Sequence, residues 1–190
     1  MGAQTLRLVV MGVSGCGKST LARSLAERLG LSMVDGDDLH HPESVAKMRA
    51  GIALDDEDRW PWLERVGRHL AECKSPGTVV ACSALKKSYR DRIRVHAGSL
   101  TFIFLDGAFD LIALRLDQRV GHYMQAGLLH SQFQTLERPG LDETDILVLD
   151  VDRPVNTLTD AALAALQPGL APEPALPLDG LWVETEPRRS

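Results

Sequence analysis

An apolar run that halts in a glycine-rich turn and restarts as a helix constrains this chain more than any other feature. Leu6 to Met11 is apolar apart from Arg7. Such a run reads as a strand buried on both faces, the kind found in parallel sheets. The next eight residues, Gly12-Val13-Ser14-Gly15-Cys16-Gly17-Lys18-Ser19, spell G-x-x-x-x-G-K-[ST], the pattern of a phosphate-binding loop. Lys18 to Leu29 then carries Leu21, Leu25 and Leu29 at helical spacing, with Gly30 as the stop. The pattern has a chemical reason. Clustered negative charge on the β- and γ-phosphates of a nucleotide is met by backbone N–H groups only where the chain wraps tightly, and glycine permits the angles. The helix directs its positive end to the same point. Lys18 adds a full charge, and the Ser19 hydroxyl is placed to ligate Mg²⁺. Gly12 through Thr20 are the predicted ATP-contacting residues.

The rest of the chain alternates strands with helices. Further strands are expected at Met33 to Asp35, Thr78 to Cys82, Leu100 to Leu105 and Ile146 to Val151. Helices are expected at Glu43 to Ala50, from Asp58 as cap to about Glu72, at Lys86 to Val95, at Phe109 to Arg119 and at Val155 to Leu166. That rhythm predicts an α/β fold, a parallel sheet with helices on both faces. The expected domain spans 1–167. Val120 to Gly140 has no clean strand and is read as a lid, about 119–140. From Pro168 five prolines crowd the end of the chain, and 168–190 is read as a tail.

Composition narrows the class. The chain has 190 residues and a net charge of −5, which gives no nucleic-acid footprint. Arginine clusters on a mildly acidic protein suit a small anionic substrate. The three cysteines have no metal-ligand spacing and read as reduced thiols. No run approaches a membrane span, and no signal peptide is expected, so the predicted location is the cytoplasm. A GTP-driven switch would need Asn-Lys-x-Asp, and Asn156 is the chain's one asparagine, without that setting.

A phosphotransferase must also orient or deprotonate its acceptor hydroxyl. Asp35-Gly36-Asp37-Asp38 follows the second strand at its carboxyl end, where open α/β sheets bind ligands. Of Asp35 and Asp37, one can reach the Mg²⁺ shell and the other the acceptor. The assignment carried forward gives Asp35 to the metal and Asp37 to catalysis. Arg59, set among acidic residues and two tryptophans, is the candidate anchor for the acceptor. Lys86, Lys87, Arg90, Arg92 and Arg94 form a basic helix after Cys82-Ser83-Ala84, about two of which are expected to face the site, with Lys86 and Arg90 taken as the candidates. Arg115, Arg119 and His122 are candidates to close on the transferring phosphate.

Several of these stretches together resemble one family, the small P-loop gluconokinases, relatives of shikimate kinase. They are Gly12 to Thr20, Asp35-Gly36-Asp37 with His40, Lys47-Met48 with Gly51, Asp56 to Leu63 (DEDRWPWL), Cys82 to Lys86 with Tyr89-Arg90-Asp91, Gly121-His122 with Gln132 and Leu136-Glu137, and Asp142 to Asp145. The match covers roughly residues 5 to 167. The resemblance implies ATP- and Mg²⁺-dependent phosphorylation of D-gluconate at its 6-hydroxyl, strand order 2-3-1-4-5, a closing lid and a homodimer. It implies that Asp152 to Pro154 border the adenine and that His40 lies on the acceptor side. The chain departs from the family at His41, Ser44 and Ala53, all in the acceptor region. Two other readings are another small hydroxy acid as acceptor, and a nucleotide-binding module without catalysis.

Overall fold

Alternating side chains on each strand divide the apolar residues into two cores, one on either face of a single sheet. The computed structural model describes residues 5–118 and 126–166. In chain order its elements are β1 (Leu6–Met11), α1 (Lys18–Leu29), β2 (Ser32–Asp35), a 3₁₀ turn (Gly36–Leu39), α2 (Pro42–Arg49), α3 (Asp56–Glu72), β3 (Gly77–Ala81), α4 (Lys87–Ala97), β4 (Thr101–Asp106), α5 (Phe109–Asp117), α6 (Ala126–Thr135), β5 (Ile146–Asp150) and α7 (Val155–Leu166). The sheet order is β2-β3-β1-β4-β5, and every pairing is parallel. Both the α/β class and the 2-3-1-4-5 order expected from the sequence are found.

Along β1 the pleat sends Leu8 and Val10 to one core and Val9 and Met11 to the other. Leu8 and Val10 join Leu21, Leu25 and Leu158 of α1 and α7. Val9 and Met11 join Trp62, Leu63, Val66 and Leu70 of α3 and Tyr89 and Ile93 of α4. Trp62, Val66 and Leu70 thus face inward, as their spacing predicts.

One local expectation is revised. Helix α3 is capped by Asp55 rather than Asp58. The Asp55 carboxylate accepts the Asp58 N–H at 2.8 Å, and Asp58 accepts the Asp55 N–H at 3.3 Å. This is a reciprocal capping box in which Asp58 is the third helical residue. The four acidic residues from Asp55 to Asp58 offered several equivalent caps. The region read as a lid also contains a regular helix, α6, whose Leu129 enters the first core. Arg119, His122 and the segment 168–190 lie outside the described residues.

Arg90 is the largest fully buried side chain, and its position corrects the acceptor role expected for it. Its Nε and Nη2 donate to the two carboxylate oxygens of Glu143 at 2.7 and 2.5 Å. Its Nη1 donates to the carbonyls of Ala84, Leu85 and Glu137 at 3.3, 3.3 and 3.1 Å. Each guanidinium nitrogen is engaged inside the protein, so none is left for a substrate. Arg94 adds a third bond to Glu143 at 2.9 Å. Burial pushes the Glu143 carboxyl up, but the bonds from Arg90 and Arg94 outweigh it and hold the pKa at about 2.

Breaking a buried pair from one side strands a desolvated charge, which costs about 3–5 kcal/mol. Glu143→Gln should therefore lower unfolding free energy by about that amount at pH 7, measured by denaturant titration. Because the folded pKa is depressed, this contribution is present above the ordinary carboxylate pKa and is lost as pH falls from about 4.5 toward 2. The gap between wild type and Glu143→Gln should close over that same window.

Candidate active site

The phosphate loop joins the central strand β1 to α1, so it sits at the middle of the sheet's carboxyl edge, with β3 and β2 to one side and β4 and β5 to the other. Two of its glycines are required for different reasons. At Gly15 (φ +82°) a Cβ would lie 2.6 Å from Leu116 Cγ of α5, so a side chain is excluded by space as well as by conformation. At Gly17 (φ +102°) a Cβ would meet nothing, and the left-handed backbone alone selects glycine. Gly17 caps α1 without any side-chain hydrogen bond, and the helix's first turn has no acidic residue. Its leading N–H groups are thus offered to an anion. Lys18 Nζ donates to the Val13 carbonyl at 2.9 Å, which holds the ammonium across the loop. The side chains of Val13 and Cys16 are buried, so these two residues offer only backbone. Burial raises the Cys16 thiol pKa.

On the β4–β5 side lies an open cleft of about 410 Å³. Its floor is Gly15 to Gly17 and Thr20, and its walls include Arg115, Gln118, Arg153 and Pro154. Arg115 is held there by an Nη2 bond to the Val151 carbonyl at 2.8 Å. Pro154 lines this cleft as the adenine reading expects. Asp152 does not line it; its N–H donates to Asp150 Oδ1 at 2.9 Å and it faces solvent. Arg153, from the same expected stretch, lines it, and so does Gln118, which no sequence signal marked.

On the β2–β3 side stand the carboxylates. Ser19 Oγ donates to Asp35 Oδ2 at 3.2 Å, and Asp35 Oδ1 accepts the Asp37 N–H at 3.1 Å. The hydroxyl and carboxylate beside the loop are the hard oxygen donors that suit Mg²⁺. Among the described residues no three His, Cys, Asp or Glu side chains group into a metal cage. That fits a cation held by one or two protein oxygens together with phosphates rather than by a closed protein site. The Asp37 side chain is 84% exposed at the rim. Partial desolvation by the surrounding walls raises its pKa, Asp35 and Asp38 raise it further, and Lys18 opposes them. Solvent screening at so open a group keeps the shift modest.

Behind Asp37, His40 stacks on Trp62 with ring centroids 4.2 Å apart. Trp62 Nε1 in turn donates to the Gly36 carbonyl at 2.7 Å and pins the 3₁₀ turn. Desolvation, with the Arg59 and His41 charges, lowers the His40 pKa to about 4, so the ring is neutral near pH 7. Its Nε2 lies 4.0 Å from Asp37 Oδ1.

Arg59 and Lys86 meet around Tyr89. Arg59 Nη1 donates to the Tyr89 hydroxyl at 3.2 Å, and that hydroxyl donates to Asp56. Lys86 Nζ donates to both Asp56 oxygens at 2.9 and 2.8 Å. Both cations also face the tyrosine ring, at 5.8 and 5.2 Å from its centroid. Tyr89 and Asp56 belong to the motifs quoted above, but no spacing rule identified them as the frame that holds the two cations. The structure thus brings Lys18, Ser19, Asp35, Asp37, His40, Arg59 and Lys86 to one edge and keeps Arg90 away from it.

The chain is similar to several known proteins. The shikimate kinase family model matches residues 14–164. The chain is 42% identical over 163 residues to the thermoresistant gluconokinase of Escherichia coli K12, covering 85% of this chain and 93% of that one. A crystal structure of a gluconokinase from Sinorhizobium meliloti 1021 superposes with a TM-score of 0.76 at 44% identity, covering 85% of this chain and 92% of that one. A sugar kinase from Janibacter sp. HTCC2649 gives a TM-score of 0.78 at 43% identity, over 85% and 94%.

Lys18→Ala removes the cation of the loop while leaving its glycine geometry intact. Loss of one preorganised charge contact should lower kcat by about 10²–10³-fold. The melting temperature should stay within a few degrees of wild type. Activity within about threefold of wild type would remove the loop from the reaction.

Proposed function

This chain belongs to the shikimate kinase family and, within it, to the gluconokinases, and on that premise we propose that it transfers the γ-phosphoryl group of ATP to the 6-hydroxyl of D-gluconate. The observation that carries the proposal is the division of the sheet edge by the phosphate loop. A nucleotide-sized cleft lies on one side, and a carboxylate with two framed cations lies on the other.

In this reading the triphosphate lies along the loop, with the base in the cleft against Pro154 and Arg153 and with Arg115 beside it. Ser19 and Asp35 would hold Mg²⁺, which would neutralise part of the phosphates' charge. Lys18 meets the β- and γ-oxygens. Asp37 accepts the proton of the gluconate 6-hydroxyl as that oxygen attacks the γ-phosphorus. The bond to the β–γ bridging oxygen then breaks and ADP leaves. A raised pKa makes Asp37 a stronger base. Neutral His40, wedged against Trp62, supports the acceptor as a hydrogen-bonding partner without adding charge. Arg59 and Lys86 receive the carboxylate at the other end of the acid, with Tyr89 and Asp56 keeping both oriented. Arg119 and His122, also expected at the transferring phosphate, lie outside the described residues. The family resemblance further supports a homodimer acting in the cytoplasm. Among the described residues no helix is long and apolar enough to cross a membrane.

The test is ADP release over a panel of sugar acids and neutral sugars. Gluconate should be the preferred acceptor, and a stronger rate with another small hydroxy acid would move the specificity while keeping the mechanism. Two substitutions separate the roles at the acceptor side. Asp37→Asn should cut kcat by about 10²–10⁴-fold with ATP affinity nearly unchanged; the same pattern at Asp35→Asn, and not at Asp37, would reverse the two assignments. Arg59→Lys loses the planar fork that grips a carboxylate. It should raise KM for gluconate by roughly tenfold to a hundredfold and leave KM for ATP unchanged. An equal rise in both would make Arg59 a structural tether.

A further inference from the structure

The phosphate loop is gripped from outside by a residue of α6 that lies more than a hundred positions away in sequence. Gln132 Oε1 accepts the Ser14 backbone N–H at 2.6 Å, and Gln132 Nε2 donates to Ser14 Oγ at 3.2 Å. The first bond requires a carboxamide oxygen opposite the N–H, so the orientation of the side-chain amide is determined by its partners. The peptide that carries this N–H is the one whose carbonyl, Val13 O, receives Lys18 Nζ at 2.9 Å. One peptide unit is therefore held at both ends, with its oxygen on the loop's ammonium and its N–H on Gln132.

A trans peptide points its C=O and N–H in opposite directions. Fixing one end aims the other, and bonding at the N–H also strengthens the carbonyl as an acceptor. Gln132 is itself immobilised. Leu129 of the same helix is buried, and Phe133 and Leu136 pack on the first core. Just beyond the helix, the Glu137 N–H donates to the Leu85 carbonyl at 2.9 Å, and the Glu137 carboxylate accepts the Lys87 N–H at 2.6 Å. Helix α6 thus touches the phosphate loop through Gln132, and the residues that follow it touch the segment bearing Lys86 through Glu137.

We infer that Gln132 is a positioning residue for phosphoryl transfer, acting through the Val13–Ser14 peptide to set where Lys18 stands at the γ-phosphate end of the loop. The inference rests on the ATP-dependent reading above but not on gluconate as the acceptor. The helix end of the loop cradles the phosphates shared by ADP and ATP, whereas the lysine reaches the β- and γ-phosphates. Losing the clamp should then penalise a nucleotide with a γ-phosphate more than one without it.

The experiment measures dissociation constants for ADP and for a non-hydrolysable ATP analogue, both with Mg²⁺, on wild type, Gln132→Leu, Lys18→Met and the double variant. Gln132→Leu keeps the volume and removes both bonds. It should weaken the analogue about tenfold, leave ADP within about twofold, and lower kcat. On the Lys18→Met background the same change should cost less than about twofold, because the residue it positions is gone. Equal weakening of both nucleotides by Gln132→Leu, or an undiminished cost on the Lys18→Met background, would overturn the inference. If Gln132→Leu does not fold, Gln132→Asn, one methylene too short to reach the Ser14 N–H, should show the same pattern. Gluconate turnover by wild type is measured alongside. Its absence together with the expected nucleotide pattern would overturn the acceptor and support the clamp.

Discussion

The bidentate pair between Arg90 and Glu143 is the interaction on which the rest of the molecule depends. A guanidinium that is 1% exposed is tolerable only if every donor is met. Meeting them gathers four separate stretches of chain: the turn after β3 through Ala84 and Leu85, the end of α6 through Glu137, the approach to β5 through Glu143, and α4 itself. Ala84 adopts φ +40°, a conformation that costs a non-glycine residue free energy and persists where its surroundings enforce it. The two carbonyls held by Arg90 are part of that enforcement. Lys86 follows directly, so the acceptor-side cation inherits its place from a buried ion pair that never touches the ligand.

The sheet order does the complementary work. Because β1 lies in the centre, its loop has two flanks, and the chain fills them from different elements. The β2–β3 flank receives Asp35, Asp37 and His40 from the turn after β2, with Arg59 from α3 and Lys86 from the turn before α4. The β4–β5 flank receives Arg115 from α5 and Arg153 and Pro154 from the turn before α7. Under the proposed function, donor and acceptor would approach one loop from opposite sides, which is the geometry that a direct transfer between them needs.

Charge at the acceptor flank is arranged in layers. Asp56 neutralises Lys86 and lies 3.7 Å from Arg59, while Tyr89 links Arg59 to Asp56 by its hydroxyl and faces both cations with its ring. Such a frame lets two like charges stand near one another before any anion arrives, and it limits the side-chain entropy lost when one binds. His40 shows the opposite device. Burial against Trp62 removes its charge, so this flank keeps two framed cations and a neutral ring side by side.

How much of this was legible in the residues follows from the range of the forces involved. The phosphate loop, the alternation of strand and helix, and the acidic turn after β2 could all be read along the chain, and each rests on local backbone geometry or on a periodicity that repeats within a few residues. The strand order was legible only as what the family likeness implies. The cap of α3 was misplaced within Asp55 to Asp58 because several carboxylates satisfy the same local rule. What the sequence by itself determined is therefore the phosphate-binding chemistry and the layered parallel fold. What only tertiary structure decided is which charged side chains face the ligand. Arg90 and Lys86 are four residues apart and look alike as basic residues, yet one is buried on Glu143 and the other stands at the rim. The difference is set by a carboxylate 53 positions away, and Gln132 reaches Ser14 across 118. No local pattern records such distances, because burial and hydrogen-bond partnership are properties of the packed whole.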